Sequence, residues 1–141
     1  MKILIVEDDL ISRRLLNEIL RDYGDCDIVV DGAEAVQAFD LAWEEGQPYD
    51  LICLDIMMPK VDGQQALRQI RDREKELGIR GSSEVKVIML TALGDPSSVI
   101  NAFYHGGATS YLVKPIDRQK LIQEFYSLGL LTPVSGHGYL Q

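Results

Sequence analysis

The chain has 141 residues, of which 46% are hydrophobic and 26% charged, and it carries a formal net charge of −8. That length closes one hydrophobic core, and the composition is that of an ordinary globular domain. The acidic balance argues against non-specific binding to nucleic acid, which needs a basic face, but leaves basic protein partners open.

The first predicted element is the strand "ILIV" (3–6), which ends in Glu7-Asp8-Asp9. An amphipathic helix follows, with a stripe of Ile11, Leu15, Leu16, Ile19, Leu20 and Tyr23. "CDIVV" (26–30) reads as the second strand, and Asp31-Gly32 as a turn opening a helix that carries Ala35, Val36, Phe39, Ala42 and Trp43. "LICL" (51–54) is the third strand, with Asp55 at its end. The third helix carries Ala66, Leu67 and Ile70, and its far end "RDREKELG" (71–78) reads as solvated. After the loop "GIRGSSE" (78–84), the strand "VKVIML" (85–90) leads to Thr91. A further helical segment carries Val99, Ile100 and Phe103. The strand "SYLV" (110–113) ends in Lys114, and the last helix carries Leu121, Ile122, Phe125 and Leu128. Gly24, Gly46, Gly78, Gly106 and Gly129 punctuate the helix ends. Residues 1–128 therefore read as one domain and "GLLTPVSGHGYLQ" (129–141) as a C-terminal tail.

Some features carry only a bland reading. Cys26 and Cys53 lie in apolar runs without metal-ligand spacing and read as reduced core residues. His105 and His137 have no partners at metal or triad spacing. "MKILIVEDD" is a strand followed by acids rather than a signal peptide, and no apolar run reaches membrane-spanning length. The expectation is a cytoplasmic protein with no membrane contact.

Strict alternation of strand and helix implies an α/β fold, a parallel sheet with helices on both faces. Five strands suggest the flavodoxin-like order 2-1-3-4-5, which periodicity alone leaves open. In such a sheet, ligands bind outside the carboxyl ends of the strands, where the strand order reverses. That order brings Asp8 and Asp55 to one edge of the crevice, with Thr91 and Lys114 on the other. Taken singly, each has a structural explanation: an acidic helix start, a strand end, a turn. Their placement after strands 1, 3, 4 and 5 argues for a site. Clustered carboxylates need a cation, and hard oxygen ligands on loops suit Mg²⁺.

"ILIVEDD", "LICLDIMMPKVDG", "VIMLTA" and "YLVKPI", in that order, resemble the receiver domain of two-component response regulators, over about Lys2 to Leu128. The resemblance implies that Asp55 is the phosphoryl acceptor, and that Asp8, Asp55 and the backbone carbonyl of Met57 bind Mg²⁺, with Glu7 acting through water. It implies that Thr91 and Lys114 bind phosphoryl oxygens and that Tyr111 is an aromatic switch. Asp9 is then expected to cap the first helix, and Lys114-Pro115 to be a cis peptide. The implied protein is not an enzyme acting on separate substrates. It takes its phosphoryl group from a histidine kinase or phosphotransfer protein, and catalyses its own phosphorylation and dephosphorylation. It signals to a downstream target protein through the face formed by the segment around Val99, the fifth strand and the last helix, without contacting nucleic acid directly.

Three rival readings fare worse. A phosphatase with an aspartyl-phosphate intermediate typically places a second aspartate two positions on, where this chain has Met57. A flavin or nucleotide carrier needs a Gly/Ser/Thr-rich loop after the first strand, but that loop is acidic. A receiver that binds partners without being phosphorylated is disfavoured by the complete residue set.

The side chains two positions beyond Asp55 and Thr91 flank the approach of water in receiver-like sites, and here they are Met57 and Leu93. Neither orients water, a contribution that can reach ~10²-fold, so self-dephosphorylation is expected to take on the order of minutes to hours. Met57→Asn or Leu93→Ser should speed the decay of phosphoprotein once the donor is desalted away. Wild-type decay within seconds, or no effect of either substitution, would mean that another group controls the water.

Overall fold

The computed structural model describes residues 1–56, 62–92 and 107–132. Within them lie the strands β1 (Lys2–Val6), β2 (Asp25–Val29), β3 (Leu51–Asp55), β4 (Lys86–Thr91) and β5 (Ser110–Val113). The helices are α1 (Leu10–Leu20), α2 (Gly32–Glu44), α3 (Gly63–Glu76) and α4 (Arg118–Ser127), with a 3-10 turn at Gly81–Ser83. All strand pairs are parallel, in the order β2-β1-β3-β4-β5 that was expected. The anticipated helical segment at Val99, Ile100 and Phe103 lies outside the described residues, as do Met57, Leu93, His105, Gly106 and His137. No described helix is long and apolar enough to cross a membrane.

Side-chain alternation divides the core in two. Leu4, Val6, Ile52 and Leu54 face the side of Phe39, Leu67 and Ile70, while Ile3, Ile5, Leu51 and Cys53 face that of Leu16, Leu20 and Phe125. With helices on both faces, β1, β3 and β4 read as unbroken apolar runs. Trp43 is half-buried against the α2 side. Leu130 and Leu131 pack on the α4 side.

Each of the four described α-helices opens on an aspartate. Asp9, Asp31 and Asp62 accept from the backbone N–H three residues on, at 2.9, 2.8 and 2.9 Å, and Asp117 from Gln119 and Lys120. The expected capping role of Asp9 is met. Asp62 and Gln65 complete a reciprocal capping box. The Lys114-Pro115 peptide is cis, as anticipated.

Four details differ from the sequence reading. Val30 and Val85 fall outside the ladders, because their N–H groups go to the carboxylates of Glu34 at 3.0 Å and Glu74 at 2.7 Å. Cys26 is only half-buried, unlike Cys53, because β2 is an edge strand whose Asp25, Asp27 and Ile28 meet solvent; both thiols are free. Ile11 and Leu15, expected in the buried stripe of α1, are exposed, Ile11 by 78%. The inward face is set by Leu16, Ile19 and Leu20, and Leu15 sits about 100° around the helix from Leu16.

The fourth difference lies in the charged end of α3. Glu74 is fully buried, not solvated. It accepts from Arg71 Nη1 at 2.6 Å and from the Val85 N–H, while Arg71 donates also to the carbonyls of Val85 and Gly107 at 2.9 and 3.0 Å. These bonds tie α3 to the start of β4 and to the approach to β5. Glu74→Ala leaves the buried Val85 N–H without its acceptor and the half-buried Arg71 guanidinium without its counter-charge, and should cost about 3 kcal/mol or more in urea unfolding. Glu76→Ala, on the exposed side, should stay within about 0.5 kcal/mol of wild type. Equal losses would show that the burial of Glu74 carries no weight.

Candidate functional site

The sheet register assembles the site. Val6 pairs with Leu54, so the next residues, Glu7 and Asp55, leave adjacent strands side by side. The Glu7 N–H donates to the Val29 carbonyl at 3.1 Å, holding this residue at the end of the β1–β2 ladder. Asp55 pairs with Leu90, and Thr91 with Val113. The Lys114 N–H then donates to the Thr91 carbonyl at 2.8 Å, which brings Lys114 to the same edge.

Lys114 Nζ bridges two carboxylates, at 2.6 Å from Glu7 Oε1 and 3.3 Å from Asp55 Oδ2. Glu7 is 0% exposed and Asp55 5%, so both acids sit where charge is costly without a counter-ion. Asp8 is exposed beside them, and carboxylate oxygens of Glu7, Asp8 and Asp55 lie within 4.8 Å of one another. Burial first, and then hydrogen bonding and charge from Asp55, push the Glu7 carboxyl up to about 7, although Lys114 opposes the shift. Burial works to lower the Lys114 ammonium pKa. The hydrogen bond to Glu7 and the charges of Asp55 and Glu7 outweigh it, and the net shift is upward.

Glu7 Oε2 is buried without a hydrogen-bond partner. Such an orphan oxygen, in a cluster of hard oxygen donors whose third member faces solvent, is a place that a small divalent cation fits. The backbone carbonyl of Met57, expected as a further ligand, lies outside the described residues.

Thr91 is buried, and its hydroxyl donates to the Ala92 carbonyl at 3.3 Å. Tyr111 is exposed on β5 and pairs with Met89. Strand alternation therefore directs Thr91, Met89 and Tyr111 to one side of the sheet, the side of α3. The geometry thus groups Glu7, Asp8, Asp55 and Lys114 tightly, with Thr91 on the adjoining strand end and Tyr111 farther along β5.

Two contacts went unseen in the sequence. A Cβ on Gly63 would lie 2.2 Å from the Asp55 carbonyl oxygen, so α3 starts against the backbone of Asp55 only because this residue has no side chain. The motif "LICLDIMMPKVDG" contains this glycine but does not reveal that approach. Arg13 Nη1 donates to the carbonyls of Glu7 and Asp8 at 3.3 and 3.4 Å. The only signal for it was a cation in the first turn after the acidic run.

Residues 3–126 match the family model described as "Response regulator receiver domain". The chain is 33% identical over 129 residues to "Chemotaxis protein CheY" of Treponema pallidum, covering 90% of this chain and 81% of that protein. It also matches long histidine kinases of Oryza sativa, of which it spans 13%. Among solved structures, it resembles the receiver domain of the sensor histidine kinase PA1611 from Pseudomonas aeruginosa, which has a magnesium ion coordinated in its active-site cleft. That match has a TM-score of 0.71 at 31% identity and covers 91% of this chain and 97% of the other. The receiver domain of Ssk1, crystallised with the histidine phosphotransfer protein Ypd1 of Saccharomyces cerevisiae, aligns with a TM-score of 0.79 at 31% identity. It covers 96% of this chain and 93% of that one.

A cation held by these acids stabilises the folded chain by mass action. Mg²⁺ at a hundredfold excess over its Kd should add about 2.7 kcal/mol to the unfolding free energy of wild type. In Asp8→Asn that increment should largely vanish, because a ligand is lost. An undiminished increment in the variant would place the ion elsewhere.

Proposed function

The chain belongs to the response regulator receiver domain family, and from that premise we propose that it is a phosphorylation-dependent switch whose acceptor is Asp55. One observation carries the reading. Asp55 stands almost buried at the carboxyl end of β3, with the carboxylates of Glu7 and Asp8 around it and the Lys114 ammonium 3.3 Å away.

A carboxylate oxygen of Asp55 attacks the phosphorus of a phosphohistidine on a histidine kinase or phosphotransfer protein, or of a small acyl phosphate. The bond from phosphorus to the donor's nitrogen or oxygen breaks, its electron pair leaves with the donor, and an acyl phosphate forms on Asp55. Such transfer needs positioning and charge neutralisation more than acid–base machinery. Asp8, Asp55 and the Met57 carbonyl would hold Mg²⁺, with Glu7 acting through water. Bound there, the cation neutralises the clustered carboxylates and shields the nucleophile from the incoming anion.

After transfer, Lys114 pairs with a phosphoryl oxygen, and the Thr91 hydroxyl turns from the Ala92 carbonyl towards the new group. Tyr111, on the same side of the sheet as Thr91, follows into the space that this vacates. The altered face is read by a protein target, without direct contact with nucleic acid. The domain is taken as 1–128 and the tail as 129–141, in the cytoplasm. A donor protein must seat its phosphohistidine over Asp55, and α1, which starts just after the acidic turn, exposes Leu10 and Ile11 at its start and Leu15 one turn on. This apolar strip is a docking surface for the donor.

Intact-mass measurement after treatment with acetyl phosphate and Mg²⁺ should show one added phosphoryl group on wild type and none on Asp55→Asn. Labelling of the variant at the wild-type level would refute the acceptor. In the same assay, Ile11→Glu should label normally from acetyl phosphate and more slowly from a phosphorylated histidine phosphotransfer protein. Equal slowing with both donors would remove the docking role.

A further inference from the structure

The turn from β1 into α1 carries two of the three clustered acids, and regular structure holds it only at its ends. At one end, the Glu7 N–H closes the ladder onto Val29; at the other, helical bonding begins with the Arg13 N–H on the Asp9 carbonyl at 2.9 Å. Between these points, Arg13 Nη1 meets the carbonyls of Glu7 and Asp8 at 3.3 and 3.4 Å. One guanidinium nitrogen carries two hydrogens in a fixed plane, one for each carbonyl. Arg13 is half-buried, and its bond to the Glu7 carbonyl is partly shielded from water while that to the Asp8 carbonyl is exposed.

We propose that Arg13 is a positioning residue for the metal-binding turn. By holding the Glu7 and Asp8 carbonyls, it sets the peptide planes from which both acidic side chains project, and so the affinity of the cluster for a divalent cation. The inference rests on the metal site proposed above and adds a residue that touches no ligand.

Charge and geometry predict opposite signs. A guanidinium acting only as a nearby positive charge opposes cation binding, so its removal would tighten Mg²⁺ binding. A guanidinium acting through the two carbonyls supports binding, so its removal weakens it. Groups that orient metal ligands typically matter by about 10- to 100-fold in affinity.

Calorimetric titration with Mg²⁺ decides between them, on wild type, Arg13→Ala and Arg13→Lys, each checked for folding by circular dichroism and a thermal melt without metal. Arg13→Ala should raise the Kd about tenfold, the lower end of that range. Arg13→Lys keeps the charge but not the planar pair of hydrogens, and should raise the Kd by a smaller factor. Wild-type or tighter binding by Arg13→Ala overturns the proposal, even if its melt is lowered, since the role is then structural. Should Arg13→Ala not fold, Arg13→Lys decides alone, and wild-type affinity in it overturns the proposal. The metal site itself is tested separately: wild type that binds no Mg²⁺, or Asp8→Asn that binds like wild type, refutes the site and this inference with it.

Discussion

The ammonium of Lys114 lies between two buried carboxylates, and the functional end of the molecule is organised by that contact. Glu7 and Asp55 leave neighbouring strands at nearly the same height, and neither is exposed enough to be solvated. Two such charges repel each other and lose hydration together, a cost that only a close counter-charge offsets. Lys114 supplies it from the far side of the crevice, at 2.6 and 3.3 Å. One cation shared by two acids leaves the cluster short of positive charge, and Glu7 Oε2 remains buried and unbonded. The cluster therefore suits the uptake of further positive charge.

Such a cluster keeps its geometry only if the sheet beneath it does not slip. Three of the strands that present it, β1, β3 and β4, are pinned by apolar layers on both faces, where a slip of one residue would turn every side chain to the wrong side. At the opposite end of the sheet, the buried Glu74 and the half-buried Arg71 anchor α3 to β4 and to the approach to β5. Close to the site, the control is over backbone. Gly63 lets α3 begin against the Asp55 carbonyl, and Arg13 grips the carbonyls of Glu7 and Asp8. Rigid elements below and a few specific backbone contacts above thus fix the placement of the clustered acids.

The surface divides in a way that fits a signalling module. The start of α1 bears the exposed apolar side chains Leu10 and Ile11, while Tyr111 stands exposed on the edge strand β5. At the end of β4, Thr91 lies on the same side of the sheet as Tyr111.

The sequence by itself determined the alternation of strands and helices, the five-stranded class, and the polar residues at the strand ends. These are local properties: apolar runs of fixed period, aspartates at helix starts, and acids placed immediately after a strand. The motif resemblance linked those residues before any contact was known. Tertiary structure alone decided which charges are buried. "RDREKELG" reads as a solvated end, yet Glu74 lies under β4, because burial depends on what packs against a residue from elsewhere in the chain. Likewise, Ile11 has the spacing of a core residue and points to solvent, and Cys26 sits in an apolar run that proves to be an edge. The bridging of Glu7 and Asp55 by Lys114 joins residues 107 positions apart in the case of Glu7, and no local pattern records such a contact. Periodicity states which way a side chain faces within its own element; only the packed sheet decides what it meets there.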